Sequence, residues 1–74
     1  RGGSMSADNF VVVKRFGKGD YRWAMGWEST RYEYPLEFKS GSFKTPKEAA
    51  EDAYHRLEII EYGIEFSDDC LATE

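Results

Sequence analysis

One cysteine and one histidine stand among the 74 residues of this chain. Cys70 therefore cannot close an intramolecular disulfide, and a multi-cysteine metal site is excluded. No apolar run is long enough to cross a bilayer, and no segment reads as a signal peptide, so no membrane association is expected. Basic residues are in deficit: the net charge is −4 and the isoelectric point near 5.0, which argues against a freestanding nucleic-acid binder, whose basic footprint normally dominates. Repeats are absent, and only the two ends read as disordered.

Aromatic residues are abundant instead, at 16% of the chain. Rings bury large areas each, which lets a chain near the lower size limit for one core manage without staples. Arg1-Gly2-Gly3-Ser4 reads as a cloning scar before Met5, so residues 1–9 are expected to be a scar and flexible N-terminus, 10–66 one domain, and 67–74 an acidic flexible tail. Charge is divided unevenly. Residues 1–47 carry nine Lys or Arg against five acids, whereas residues 48–74 carry nine acids against Arg56 alone. Such asymmetry speaks about partners rather than fold.

Phe10 to Phe16 is β-branched and aromatic and runs into Gly17-Lys18-Gly19-Asp20, a strand followed by a tight turn. Tyr21, Trp23, Met25 and Trp27 then alternate with Arg22, Ala24, Gly26 and Glu28, which completes a hairpin. A second alternating set, Tyr32, Tyr34, Leu36 and Phe38, predicts a third strand; Pro35 lacks a donor and places it at an edge or bulge. Thr45-Pro46-Lys47-Glu48 is an N-cap, a first-turn proline and a capping box. The helix is predicted to reach about Tyr62, ending at Gly63, with Ala49, Ala50, Ala53, Tyr54, Leu57 and Ile60 on its packed stripe. Ile64-Glu65-Phe66 is a short fourth strand. The expected class is α+β, a small antiparallel sheet of three to four strands with one helix across it, in the order β-β-β-α-β.

Nothing in these residues predicts catalysis. His55 sits within the helix with no nucleophile at catalytic spacing, and Cys70 lies in a polar tail without a motif. Asp68 and Asp69 lack the further ligands of a calcium loop. Gly17-Lys18-Gly19 joins two strands and lacks the helix N-terminus that makes a phosphate loop work. No enzyme activity, cofactor or metal is expected. Rings interleaved with bases, as in Arg22-Trp23 and Arg31-Tyr32-Glu33-Tyr34, could stack on nucleobases, but alternation assigns most of them to the core. One helix lined with alanine cannot cover so many rings, so at least one of Tyr21, Tyr32 and Tyr34 is expected at the surface near Lys14, Arg15, Lys18 or Arg22.

Trp23-Ala24-Met25-Gly26-Trp27-Glu28-Ser29, Tyr32-Glu33-Tyr34-Pro35-Leu36, Thr45-Pro46-Lys47-Glu48-Ala49 and Tyr62-Gly63-Ile64-Glu65-Phe66 recur in an order that resembles the small phage-encoded inhibitors and regulators of bacterial RNA polymerase, of the coliphage and Xanthomonas-phage types. The likeness covers most of residues 10–66. It implies a non-enzymatic host-takeover protein in the bacterial cytoplasm that binds polymerase through its large subunits and inhibits or regulates host transcription. Gly41-Ser42-Phe43-Lys44-Thr45-Pro46-Lys47-Glu48-Ala49-Ala50 with Ala53-Tyr54 also resembles the strand-to-helix passage of three-stranded-sheet DNA binders of the AP2 and integrase-arm type. That likeness implies Arg15, Arg22 and Arg31 as groove readers. A third reading is an acidic nucleic-acid mimic acting on another host enzyme.

The candidate partner-binding residues are Lys14, Arg15, Lys18, Arg22, Arg31 and Tyr32 on the sheet side, chosen on charge and turn position, and Glu51, Asp52 and Glu58 on the helix side. The sequence leaves open which set forms the main interface. Nothing in it demands an oligomer, and a monomer is expected.

Overall fold

The computed structural model describes residues 8–71; the expected scar, Arg1-Gly2-Gly3-Ser4, and residues 72–74 of the tail lie outside them. Strands β1 (Asn9–Gly17) and β2 (Asp20–Trp27) form the hairpin in antiparallel register, with Val11 opposite Met25 and Val13 opposite Trp23. Gly19 turns the chain at φ +65°, a conformation that glycine adopts without steric cost. Helix α1 spans Pro46–Arg56, and strand β3 spans Ile64–Phe66. The result is a small α+β fold: a three-stranded sheet, ordered β2-β1-β3, with one helix packed against it.

Strand alternation gives β1 and β2 two distinct faces. Val11, Val13, Tyr21, Trp23 and Met25 share one face, because they alternate along their strands and pair across the ladder. Ala49, Ala50 and Ala53, the buried residues of α1, meet that face. Val13, Tyr21, Ala49 and Ala50 form a buried cluster, with Trp23, Phe43, Ile64 and Cys70 packed around it. Alanine at the contact lets the helix lie close to the sheet, and the rings supply the bulk.

The third strand expected at Tyr32–Phe38 does not form. After a short 3₁₀ turn at Glu28–Thr30, residues 31–42 contain no strand. This segment crosses the second sheet face instead. The Arg31 guanidinium lies 3.9 Å from the Phe10 ring centroid, and Phe38 meets Phe16 edge-on at 5.4 Å. The physical reason lies in the sheet: Phe10 and Phe16 project from this face and need a cover, while Pro35 cannot donate to a ladder. At the outer edge of β2, Phe43 exchanges backbone bonds of 2.8 and 2.9 Å with Tyr21, and the Ser40 hydroxyl accepts from the Trp23 amide at 2.9 Å.

The sheet is mixed rather than antiparallel, because β3 pairs parallel to β1, Val12 opposite Glu65. A parallel neighbour needs a crossover, which α1 and residues 57–63 provide. The helix also stops earlier than expected, at Arg56, with Leu57 extended and Tyr54 exposed rather than packed. Asn9, the one buried polar residue among those described, accounts for this stop. Its side chain donates to the Ile59 carbonyl at 2.8 Å and accepts from the Glu61 amide at 2.9 Å, groups that a longer helix would keep for itself. Asn9 thus belongs to the domain, not to a flexible N-terminus.

The N-terminus of α1 follows the sequence signals. Thr45 Oγ1 accepts from the Glu48 amide at 3.1 Å, although the Glu48 carboxylate reaches back to the Lys44 amide rather than to Thr45. The expected flexible tail is ordered through Leu71. Asp68–Leu71 forms a 3₁₀ turn, Ser67 N donates to Val13 O at 2.9 Å and Cys70 Sγ to the same oxygen at 3.2 Å.

Close packing on the second face gives a direct test. A Cβ on Gly26 would fall 2.6 Å from Phe10 Cζ and 2.8 Å from Leu36 Cδ2, and Phe10 is buried. Gly26→Ala is expected to lower unfolding stability by about 1–3 kcal/mol, read as a reduced urea midpoint with an unchanged slope.

Candidate functional site

Most of the basic residues singled out from the sequence carry their compensating charge within the fold. Lys14 Nζ donates to Asp69 Oδ2 at 2.9 Å. Arg22 makes a two-pronged contact with Asp20, both prongs at 3.0 Å, and its guanidinium lies 4.7 Å from the Phe16 ring centroid. Arg31 is the most constrained. It donates to Glu28 Oε1 at 2.7 Å and to Glu65 Oε2 at 2.9 Å while stacking on Phe10. Bonds from two carboxylates raise its already high pKa further. Arg31 is a clasp that joins the 3₁₀ turn, the sheet and β3, because its planar fork can hold two acids and a ring together.

The other candidates divide similarly. Arg15 is half-buried and its backbone amide donates to Asp69 Oδ1 at 3.2 Å. Lys18 stands exposed in the hairpin turn, and Tyr32, at 94% exposure, is fully in solvent. Tyr34 is exposed as well, whereas Tyr21 is buried. On the helix side, Asp52 accepts from Trp23 Nε1 at 2.9 Å and from Arg56 Nε, so it fixes the helix to the sheet. Glu51 and Glu58 are exposed and have no polar partner among the described residues.

An apolar groove beside α1 was not read from the sequence. Pro46, Ala50 and Tyr54 form one wall, and Phe66, Cys70 and Leu71 the other, around about 440 Å³. Lys47 and Glu51 are its charged lining residues. Tyr54 is 62% exposed and Leu71 78%. Periodicity placed Tyr54 on the packed stripe, and treating residues 67–74 as tail removed the second wall. The groove exists because Ser67 and Cys70 bond back to β1 and carry Leu71 alongside Phe66.

Asp69 anchors that wall. Its carboxylate accepts from Ser67 Oγ, from Lys14 Nζ and from the Arg15 amide. The Ser67 hydroxyl and then the Lys14 ammonium lower its pKa from 3.8 to about 2. Among the described residues, no three His, Cys, Asp or Glu side chains are placed to hold a metal ion, and no helix is long and apolar enough to cross a membrane. No family model, curated protein or solved structure matches this chain.

The lowered Asp69 pKa fixes the sign of a pH effect. A carboxylate that is more acidic folded than unfolded stabilises the fold above its unfolded pKa, and this contribution disappears as pH falls through the folded value. Between about pH 4 and pH 2, the thermal midpoint of the parent chain is expected to drop more steeply than that of Asp69→Asn. The variant should begin lower at neutral pH, and the two curves should converge near pH 2. Parallel melting curves across that range would show that Asp69 contributes nothing through ionisation.

Proposed function

We propose that this domain is a non-enzymatic regulator of bacterial transcription that docks on RNA polymerase through the side carrying α1. One observation supports a protein partner: an open apolar groove is lined by Glu51, a carboxylate that no described residue neutralises. Apolar surface with a polar rim is the common anatomy of protein interfaces. The polymerase is named by the resemblance in motif order to the small phage inhibitors. Its nucleic-acid channels are basic, and Glu51 and Glu58 offer the complementary sign. The hairpin is the weaker candidate surface, since Lys14, Arg22 and Arg31 are each engaged by carboxylates of the fold.

The sheet-type DNA-binding reading requires a sheet face that can enter the major groove. Here one face carries α1 and the other is crossed by residues 31–38, so that reading receives no support from the geometry.

Capture of polymerase from bacterial lysate on the immobilised chain, beside a duplex-DNA gel shift at moderate salt, tests the proposal. Polymerase subunits should be retained and DNA should not shift. Reversing both helix-side charges, Glu51→Lys with Glu58→Lys, should weaken capture about tenfold or more without altering the circular dichroism. Undiminished capture by that double variant would move the interface to the hairpin. A DNA shift without polymerase would overturn the proposal.

A further inference from the structure

The free edge of the sheet lies beside the groove. Among the described residues, β3 has β1 on one side and no strand on the other. Val11 N donates to Gly63 O, and Ser67 N donates to Val13 O, both inward. In a parallel ladder this phase turns the amides and carbonyls of Ile64 and Phe66 outward. None of these four groups has a hydrogen-bond partner among the described residues. An unpaired edge is a template for another strand.

The side chains next to this edge are arranged for an alternating ligand. Phe66, 47% exposed, faces the groove together with Tyr54 and Leu71. Glu65 points to the opposite face, where its half-exposed carboxylate meets Arg31. A strand laid against β3 would therefore place every second residue against apolar surface and the intervening ones on the face where Arg31 holds Glu65. Charge selects between occupants. Residues 48–74 hold nine acids and one base, so a second copy pairing edge to edge would bring like charges together. A basic segment would be attracted.

We infer that β3 accepts an extended, basic segment of a partner protein as a fourth strand, with alternate apolar side chains seated in the groove between α1 and Leu71. This rests on the reading of the domain as a protein-binding module, but not on polymerase being the partner. Main-chain bonds to Ile64 and Phe66 supply affinity, and the groove and acids supply selection.

The probe is a blocked heptapeptide of alternating lysine and valine, titrated into the isotope-labelled full chain and followed by amide NMR. Shifts should concentrate at residues 64–66 and around Tyr54 and Leu71, and exchange of the Ile64 and Phe66 amides should slow by about tenfold at saturation. Leu71→Lys places a cation in an exposed position and should weaken binding about fivefold or more while leaving the remaining spectrum unchanged. The same peptide with methylated nitrogens at every second residue should fail, since it cannot complete the ladder. Equal binding of the methylated peptide, or no shift at residues 64–66 at millimolar peptide, would overturn strand addition. Protected β3 amides in a peptide-free dimer, shown by sedimentation, would assign the edge to a second copy and likewise overturn it. If the peptide fails while the chain still captures polymerase, this docking mode is wrong and the functional reading stands. If the peptide binds at β3 and polymerase is not captured, strand addition holds and the named partner is wrong.

Discussion

Among the described residues, β1 is the central strand of a sheet whose only other long member is β2, and its neighbours must therefore cover two faces and one edge. Each remaining part of the chain serves one of these needs. The alanine stripe of α1 covers Val11 and Val13, residues 31–38 cover Phe10 and Phe16, and β3 pairs with the outer edge. A two-stranded ribbon is marginal in water by itself, so none of these covers is optional. The complete burial of Val11 and Val13 is the consequence.

The same constraint explains where the charges went. A coil crossing an aromatic face brings polar backbone and side chains with it, and they need fixed partners. Arg31 meets that need by stacking on Phe10 and holding Glu28 and Glu65. Asp69 does the equivalent for the last ordered turn, gathering Ser67, Lys14 and the Arg15 amide. Arg22 and Lys14, which look from sequence like a surface set for a partner, are held by acids of the fold. Among the described residues, the carboxylates without a polar partner are those of Glu51 and Glu58, on and just after the helix, and of Glu33 and Asp68 elsewhere.

Groove and edge share one origin. Because β3 is short and parallel, the chain leaves it beside the middle of β1, and bonds from Ser67 and Cys70 to Val13 turn it back toward the helix. Leu71 is left standing beside Phe66, with no third element above them among the described residues. An apolar surface and an unpaired strand edge thus lie at one place.

Local chemistry determined much of this in advance. The hairpin, its glycine turn, the Thr45 cap with Pro46 and Glu48, the alanine contact, the short strand at Ile64 and the small α+β class all follow from near-neighbour propensities and periodicity, which act over a few residues. The fate of Tyr32–Phe38 does not. Its alternation suits a strand, but a sheet face lined by Phe10 and Phe16 competes for it, and that competitor lies elsewhere in the chain. The end of α1 is similar, since Asn9 takes the backbone groups of residues some fifty positions away. The partners of Lys14, Arg31 and Asp52 were equally out of reach, and so was the groove, whose two walls come from separate segments. Ion pairs, strand edges and clefts depend on which distant residues meet; only the tertiary structure decides that.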